Sequence, residues 1–581
     1  MILQALVEHY EDLAAQGKLA RPGWSDANIS YVLYINDAGE LEQVVDIRAV
    51  PEDGKGKPRP QTMKLPSSPT GRTSLAVKPA FLWDNAKYLF GIDNKGKGEQ
   101  SKKCFQGSRE YYHKLLDGVD SPAARAVLAF FDGWDPAKAR EHPALSDKLE
   151  DILAGANLVF RYQGMFLQED ALIRSAWQAH YDSAGDGPEL VCLVTGKKGT
   201  AEAVHPSIKG VPGAQSSGAA LVCFNGGAFC SYGREQSLNA PTSKYAAFAY
   251  TSALNHLLGE RDYVGRIGDT TILFWASGGQ QAYQRFSMAS LFGAPTVYST
   301  SDLQKMTLDL CRGKPVLFEE TRLDPKITFY ILGLSPNAAR LSVRFFLKNS
   351  FGAFVKNIQA HQERLEIVRP SFDKFETIPP WKLLDETVDQ NSRDKSPTPG
   401  MAGETLRAIL SDTPYPATLL NGISLRIRAE REITRVRAAI LKAYYLKKPD
   451  PDIPKEVLTV SLNPDSTNIP YTLGRLFSVL EAIQSAANPN INATIKDKYF
   501  NSASATPSRV FPTLIDLAQK HLRKLEKGQR IYYNKQLTEL IAKLGEALPD
   551  RLSLPRQGAF QLGYYHQTQV RYQKKEENDN G

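Results

Sequence analysis

Residues 203–258 read AVHPSIKGVPGAQSSGAALVCFNGGAFCSYGREQSLNAPTSKYAAFAYTSALNHLL, and they combine a loop, two apolar runs and a helix. We call residues 210–218 the small-residue loop. Apolar runs at 219–224 and 228–232 flank Asn225-Gly-Gly, which predicts a β-hairpin because primed turns need positive φ angles. Thr242 or Ser243 then caps a predicted helix that Gly259 ends.

The small-residue loop has three interpretations. A phosphate-binding loop needs Gly and Lys at the fifth and sixth positions after its first glycine, and counted from Gly210 these positions hold Gln215 and Ser216. The missing lysine disfavours nucleotide hydrolysis. Two interpretations stay open: a tight connection that needs small residues for its backbone, or a polar tip of Gln215, Ser216 and Ser217 that offers hydrogen bonds to a partner.

The composition is that of an ordinary globular protein with several domains. The chain has 581 residues, of which 42% are hydrophobic and 23% charged. No apolar run approaches the roughly 20 residues of a membrane span, and the N-terminus lacks the basic segment of a secretory signal. Five cysteines without a CxxC pair make zinc sites and disulfides unexpected. We therefore expect a protein of the reducing cytoplasm, without metal or cofactor.

Positive charge is concentrated near the C-terminus. The chain carries a net charge of +8, and residues 421–581 contain 25 Lys or Arg against 16 Asp or Glu, a balance of +9. The first 420 residues therefore sum to about −1, the difference between +8 and +9. This asymmetry favours a polyanion as partner, although a basic solvated surface is the alternative.

Hydrophobic patterning predicts two regions that differ in secondary structure. Strand pairs at 30–35 with 42–49 and at 326–334 with 340–348 predict an α+β N-terminal region, residues 1–386, with a mainly antiparallel sheet. A subdivision near residue 185 is also considered. Residues 387–403, rich in Pro, Gly and Ser, are the predicted linker. Residues 404–581 are predicted to form a basic, all-α helical bundle.

Two basic features suit phosphate contacts. Loops broken by glycine or proline between residues 53 and 103 carry eight cations: Lys55, Lys57, Arg59, Lys64, Lys95, Lys97, Lys102 and Lys103. On a helix predicted through 419–447, four cations share one face: Arg428, Arg431, Arg435 and Lys442. Lysine-rich mobile loops and a solvated helix face are the respective alternatives.

Several segments together resemble the large subunit of the type I-C (Dvulg subtype) CRISPR Cascade surveillance complex. They occur in order along the chain: AFLWDN at 80–85, HPSIKGVPGAQSSGA at 205–219, NAP at 239–241, LDPKITFYILGL at 323–334, NAARLSVR at 337–344, LGRLF at 473–477 and LGYYHQ at 562–567. None of them is a catalytic motif.

The resemblance implies a DNA-binding subunit without enzymatic activity, in the prokaryotic cytoplasm. Such a subunit recognises the protospacer-adjacent motif in duplex DNA, helps to open the duplex into an R-loop, holds the displaced single strand and supports recruitment of a helicase-nuclease. Its other partners are the CRISPR RNA, the backbone and guide-end subunits, and a small subunit. Residues 457–581 resemble that small subunit, and separate translation from a start near 457–460 is a further expectation.

From the residues and the resemblance we assign three groups of contacts. Motif and duplex contacts are expected at Gly71, Arg72, Thr73, Ser74, Lys78 and Asn85, with Gln215 and Ser216 as wedge or loop candidates. The eight loop cations would bind phosphates, and the four helix cations would bind the displaced strand. The alternative function is a metal-dependent nuclease or nucleotide hydrolase, which requires a carboxylate cluster or a complete phosphate loop.

Overall fold

Two units make up the chain in the computed structural model, which describes residues 1–50, 58–69, 72, 76–94, 98–183, 187–260, 263–393, 395–398 and 400–579. The first unit comprises Met1–Ile208 and Val222–Leu254, and the second comprises Lys209–Leu221 and Asn255–Gly581. Residue 185 lies within the first unit, and the segment 387–403 lies within the second.

The first unit is built on a mixed sheet. Its strands are β1 (Trp24–Ile29), β2 (Tyr31–Ile35), β3 (Leu41–Asp46), β4 (Gln61–Pro66), β5 (Trp83–Asn85), β6 (Asn157–Tyr162), β7 (Met165–Phe166), β8 (Glu189–Val191) and β9 (Lys198–Thr200). The sheet order is β3-β2-β6-β5, with β7 paired to β6. Among the described strands of this unit, only β2 and β6 run parallel, while β1–β4 and β8–β9 form separate antiparallel pairs.

Helices cover this sheet around an aromatic core. The helices of this unit are α1 (Ile2–Ala15), α2 (Ala86–Leu89), α3 (Gly98–Leu116), α4 (Pro122–Gly133), α5 (Leu149–Leu153) and α6 (Ala171–Ser183), and α7 (Lys244–Gly259) begins in the first unit and ends in the second. Tyr112 on α3 and Phe131 on α4 lie 4.4 Å apart between ring centroids. Phe160 on β6 packs against both rings, so that the helices are held on the sheet by apolar burial.

The second unit begins with an antiparallel sheet in the order β10-β11-β14-β15. The strands are β10 (Gly265–Ile267), β11 (Thr270–Ala276), β12 (Val316–Phe318), β13 (Thr321–Leu323), β14 (Thr328–Asn337) and β15 (Arg340–Ser350), with β12 and β13 forming their own pair. Every residue of β11 is buried. The predicted strand pair at 326–348 is confirmed as β14 and β15.

The rest of the second unit is helical. Its helices are α8 (Ala282–Phe292), α9 (Thr300–Cys311), α10 (Phe351–Leu365), α11 (Pro380–Asp385), α12 (Met401–Ser411), α13 (Ala417–Glu430), α14 (Arg435–Lys447), α15 (Ile469–Ala487), α16 (Ile495–Ala505), α17 (Pro507–Leu522), α18 (Lys527–Ile541) and α19 (Leu554–Asp579). One continuous core joins Ile272 on β11 to Leu540 on α18. The predicted fold class, α+β followed by helices, is confirmed, and no helix of the described residues is long and apolar enough to cross a membrane.

The hairpin predicted around Asn225-Gly-Gly is wrong. Ala220 instead forms an isolated parallel bridge with Arg340, and Gly227–Phe229 is a 3₁₀ turn. The side chain of Phe229 is half-exposed, so the second apolar run lacks the buried face that a hairpin strand would need. The predicted helix after it is confirmed as α7, and the Ser243 hydroxyl accepts a hydrogen bond from the Ala246 N–H.

Helices α15 and α19 touch through their backbones. A Cβ placed on Gly474 would lie 1.9 Å from the carbonyl oxygen of Phe560, and one on Gly563 would lie 2.0 Å from that of Tyr471. Only glycine allows this approach. The segments LGRLF and LGYYHQ are therefore the two sides of one helix crossing.

Substitution Gly474→Ala should lower the free energy of unfolding by about 2 kcal/mol or more, because the added methyl group overlaps a backbone atom that cannot rotate away. Urea denaturation measures this loss. Gly528→Ala on α18 is the matched control: nothing lies within 4 Å of its added Cβ, so it should be neutral or slightly stabilising. Equal effects of the two substitutions would contradict the backbone contact.

Three buried histidines each share a hydrogen bond with a buried tyrosine through Nδ1. The pairs are His205–Tyr250 at 2.7 Å, His361–Tyr415 at 2.7 Å and His566–Tyr471 at 2.9 Å. Burial lowers the histidine pKa to about 4, about 3 and about 4, respectively. Because these values lie below the unfolded value of about 6.5, the stabilising effect is complete above that pH and is lost as the unfolded chain takes up protons.

Acidification from pH 7 to pH 5 should therefore cost about 2 kcal/mol of folding free energy for each such histidine that unfolds with its unit. Urea denaturation at both pH values measures the loss. His566→Asn keeps a hydrogen-bonding group near Tyr471 and should lose less stability over this interval than the native chain. A variant at the exposed pair His113–Asp117, His113→Asn, should retain the full acid loss of the three buried histidines. An identical pH dependence in His566→Asn and the native chain would refute the assignment.

Candidate nucleic-acid interface

The small-residue loop is anchored on the turn between β14 and β15. The Gln215 N–H donates to the Ala338 carbonyl at 3.4 Å, and the Ala220 N–H donates to that of Ala339 at 2.9 Å. The Leu341 N–H returns a bond to the Ala220 carbonyl at 3.0 Å. Two segments that lie about 120 residues apart in the sequence thus form one structural element.

Backbone contacts leave the tip of this loop available. Gly213 has φ +80°, and a Cβ there would lie 3.1 Å from Pro336, so the loop packs closely on the turn. The side chains of Gln215, Ser216 and Ser217 are exposed. The loop is therefore both a tight connection and a polar tip, the two interpretations that the sequence left open.

In the first unit, Arg72 is held inside the fold by Asp84. Its guanidinium donates to Asp84 Oδ2 at 2.6 Å and lies 4.3 Å from the centre of the Tyr88 ring. The side chain of Asp84 is 1% exposed and also accepts the N–H groups of Ala80 and Asn85. Because a buried carboxylate needs its counter-ion, Arg72 primarily stabilises the AFLWDN segment.

Two other predicted contact residues make local hydrogen bonds. The Lys78 N–H donates to the Tyr88 hydroxyl at 3.3 Å, and the Lys78 side chain is exposed. The Asn85 side chain accepts the Lys87 N–H at 3.1 Å and caps α2. The structure thus brings Arg72 and the backbone of Lys78 to Tyr88, whereas Asn85 serves as a helix cap. Gly71, Thr73 and Ser74 lie outside the described residues.

The predicted phosphate loops are only partly described. Lys55, Lys57, Lys95 and Lys97 lie outside the described residues. Arg59 is exposed and its backbone pairs with Ala49, whereas Lys64 on β4 donates to the Gly17 carbonyl at 2.8 Å. Lys102 and Lys103 lie on α3 and not on a loop, which corrects the prediction: the helix already begins at Gly98.

The predicted arginine face on residues 419–447 is wrong because the helix is broken. Arg431 has φ +57° and ends α13, and α14 begins only at Arg435 after the Thr434 cap. A face counted across this break does not exist. Arg428 remains exposed, with its guanidinium bonded to Gln557 at 3.2 Å.

Two of these cations are buried and used by the fold. Arg435 pairs with Asp373 at 3.0 Å and donates to the carbonyls of Phe375 and Glu376. Lys442, 3% exposed, donates to three carbonyls at the end of α10 at 2.6–3.5 Å, and burial lowers its pKa to about 8. Neither side chain is available to a DNA strand.

Another feature of the second unit has the exposed cations that the predicted arginine face lacks. We call it the basic groove, a cleft of about 920 Å³. Its lining includes residues 369–375, Lys496 and five residues of α19: Tyr564, Thr568, Gln569, Arg571 and Tyr572. Phe372 is 82% exposed and Tyr572 is half-exposed, so aromatic rings face solvent beside cations.

The charges in the basic groove divide into paired and unpaired groups. Asp373 pairs with Arg435, Glu386 pairs with Arg437, and Glu481 accepts hydrogen bonds from Tyr564 and Thr494. The fourth lining carboxylate, Glu432, is exposed and makes no ion pair with a described cation. Within the described part of the chain, four groove cations make no ion pair with a carboxylate: Arg369, Lys374, Lys496 and Arg571. Unpaired cations beside exposed rings are the chemistry that binds single-stranded nucleic acid.

Sequence reasoning missed this groove because its cations come from three separate segments. Arg369 and Lys374 follow α10, Lys496 lies in the first turn of α16 and Arg571 lies in α19. No spacing rule connects them, and the basic balance of residues 421–581 is a signal for Lys496 and Arg571 alone. Among the described residues, no group of three or more His, Cys, Asp or Glu side chains is placed to hold a metal ion.

Comparison with protein families identifies one match. A family model described as CRISPR-associated protein (Cas_Csd1) matches residues 6–572, nearly the whole chain. Comparison with curated proteins gives no match.

Proposed function

The chain belongs to the Cas_Csd1 family of CRISPR-associated proteins, and from this premise we propose that it is the non-enzymatic large subunit of a type I-C Cascade complex. In this role it recognises the protospacer-adjacent motif in duplex DNA, helps to open the duplex, stabilises the displaced strand of the R-loop and supports recruitment of the helicase-nuclease. Guide RNA pairing supplies the long sequence readout, and the protein reads only the short motif.

The single observation that carries the DNA-binding part of this proposal is the basic groove. Four cations that pair with no carboxylate among the described residues line one cleft together with two exposed rings. Phosphates would pair with the cations and unpaired bases would stack on the rings, a sequence-tolerant mode that suits a displaced strand.

Motif reading is proposed for the exposed tip of the small-residue loop, with Lys78 and Asn85 in the first unit as further candidates. The tip offers an amide and hydroxyls, which are donors and acceptors suited to base edges, and its anchored backbone limits the entropy lost on binding. The partners we propose are target DNA, the CRISPR RNA within the complex, backbone and guide-end subunits, a small subunit and the helicase-nuclease.

Motif-dependent binding should fall when the tip is altered. In a gel shift of the assembled complex on matched targets with and without the motif, Gln215→Ala combined with Ser216→Ala should reduce the preference for the motif by about tenfold, since a good base contact is worth about 1–3 kcal/mol. Asn534→Ala, an exposed amide on α18, is the control and should leave the preference unchanged. Equal affinity of the native complex for both targets would remove motif recognition from the proposal.

The basic groove should contribute to the salt dependence of single-strand binding. Arg369→Ala combined with Lys374→Ala should reduce the slope of log affinity against log salt by about 1.4, because two phosphate contacts worth about 0.7 each are lost. Lys527→Ala combined with Lys535→Ala, two exposed lysines on α18, removes the same charge elsewhere and serves as control. An equal change in slope for both pairs would show a general charge effect and argue against the groove.

No observation favours the alternative of a nuclease or nucleotide hydrolase. The loop holds Gln215 and Ser216 where a phosphate loop needs Gly and Lys. Incubating the complex with target DNA and magnesium, without a helicase-nuclease, decides between the two: cleavage under these conditions would refute the non-enzymatic role.

A further inference from the structure

Tyr232 occupies a backbone position that disfavours its side chain. The Arg234 N–H donates to the Ser231 carbonyl at 3.1 Å and closes a β-turn around Tyr232 and Gly233. Both central residues have positive φ, +55° and +68°. This is the pattern of a type I′ turn, in which Asn, Asp or Gly is preferred and a bulky residue is an outlier.

The turn is held in this conformation by Asn239. The side chain of Asn239 accepts the Ser231 N–H at 2.8 Å and donates to the carbonyls of Arg234 and Gln236 at 3.0 and 2.9 Å. The Ser237 N–H is bonded to the Ala203 carbonyl at 3.1 Å. One amide therefore braces the whole turn, which explains what the asparagine of the NAP segment does.

The ring of Tyr232 makes no packing contact that would offset this backbone strain. Its side chain is 100% exposed, so it buries no area against the chain that presents it. Backbone outliers of this kind cluster at functional sites. Because the ring is fully exposed, the candidate for its contact is a partner outside the chain.

The surroundings of the ring are polar and exposed, and they offer one cation to a partner. Residues 231–236 are all exposed, and they include one cation, Arg234, and one carboxylate, Glu235. Phe229 is half-exposed three residues before Tyr232. One ring at the tip of a narrow turn offers too little apolar area for the core of a protein interface, but it matches the face of one nucleobase.

We propose that Tyr232 stacks on an unpaired base of the DNA while Arg234 pairs with an adjacent phosphate. This assignment rests on the proposed function, since it requires that the chain meets DNA with at least one base out of its pair. Stacking on tyrosine is independent of base identity, so Tyr232 would stabilise opened DNA without contributing to motif choice.

The test uses the full-length chain and a labelled single-stranded oligonucleotide that contains 2-aminopurine. Fluorescence anisotropy gives the affinity, and quenching of 2-aminopurine reports stacking on an aromatic ring. Tyr232→Ala and Tyr232→Asn should each weaken binding on the order of tenfold and reduce the quenching. Tyr232→Phe keeps the ring and should bind like the native chain, as should Tyr532→Ala, which removes an exposed tyrosine from α18.

Thermal unfolding separates this role from a structural one. Tyr232→Asn places a preferred residue in the turn and should not lower the melting temperature, so weaker binding with unchanged or higher stability supports stacking. Native affinity and quenching in Tyr232→Ala would overturn the assignment alone, whereas failure of the native chain to bind any single-stranded DNA would overturn the proposed function with it. Unchanged DNA binding with failed assembly into the complex would show that Tyr232 contacts a protein, which also overturns the assignment.

Discussion

Backbone contact between α15 and α19 is the constraint on which the helical part of the second unit depends. Gly474 and Gly563 let each helix approach the carbonyl groups of the other, so no side chain separates the two axes. Hydrogen bonds then form across the crossing, from Arg475 to Gln567 and between Tyr471 and His566. Because polar groups buried this deeply must be paired, the crossing specifies one register of the two helices.

The same crossing determines where the basic groove can lie. With α15 packed against α19, residues Tyr564, Thr568 and Gln569 of α19 line the cleft. Glu481 on α15 accepts a hydrogen bond from the Tyr564 hydroxyl at 2.6 Å and so fixes this ring in the lining. The helix contact thus positions the residues of α19 that line the groove.

Burial decides which cations remain available for binding. Arg72, Arg435 and Lys442 all lie in segments that are basic in the sequence. Each is bound within the fold, by an ion pair with a buried carboxylate or by hydrogen bonds to backbone carbonyls. The loss of hydration on burial is offset only if every donor is satisfied, so such side chains cannot turn outward without leaving unpaired groups behind. The proposed DNA contacts therefore rest on cations that no packing contact requires.

Local patterns predicted much of the fold. The β14–β15 pair, helix α7 and the change from α+β to helical texture follow from alternation, capping residues and helical spacing, which act over a few residues. The prediction of a hairpin at Asn225-Gly-Gly was wrong because Ala220 pairs with the distant Arg340. The prediction of a continuous helix at 419–447 was wrong because the chain turns at Arg431, whose φ is positive. For the candidate interface, the sequence predicted the exposed polar tip at Gln215 and Ser216 and showed the excess of positive charge near the C-terminus.

The sequence by itself determined the β14–β15 pair, helix α7, the change from an α+β to a helical region, the family resemblance and the glycines at 474 and 563. Only the tertiary structure decided which turn holds the small-residue loop, which cations are paired, and that Tyr232 is exposed on a strained, braced turn. The physical reason is that propensity and capping depend on neighbours in the sequence, whereas desolvation and pairing depend on neighbours in space. Local rules contain no information about the second kind of neighbour.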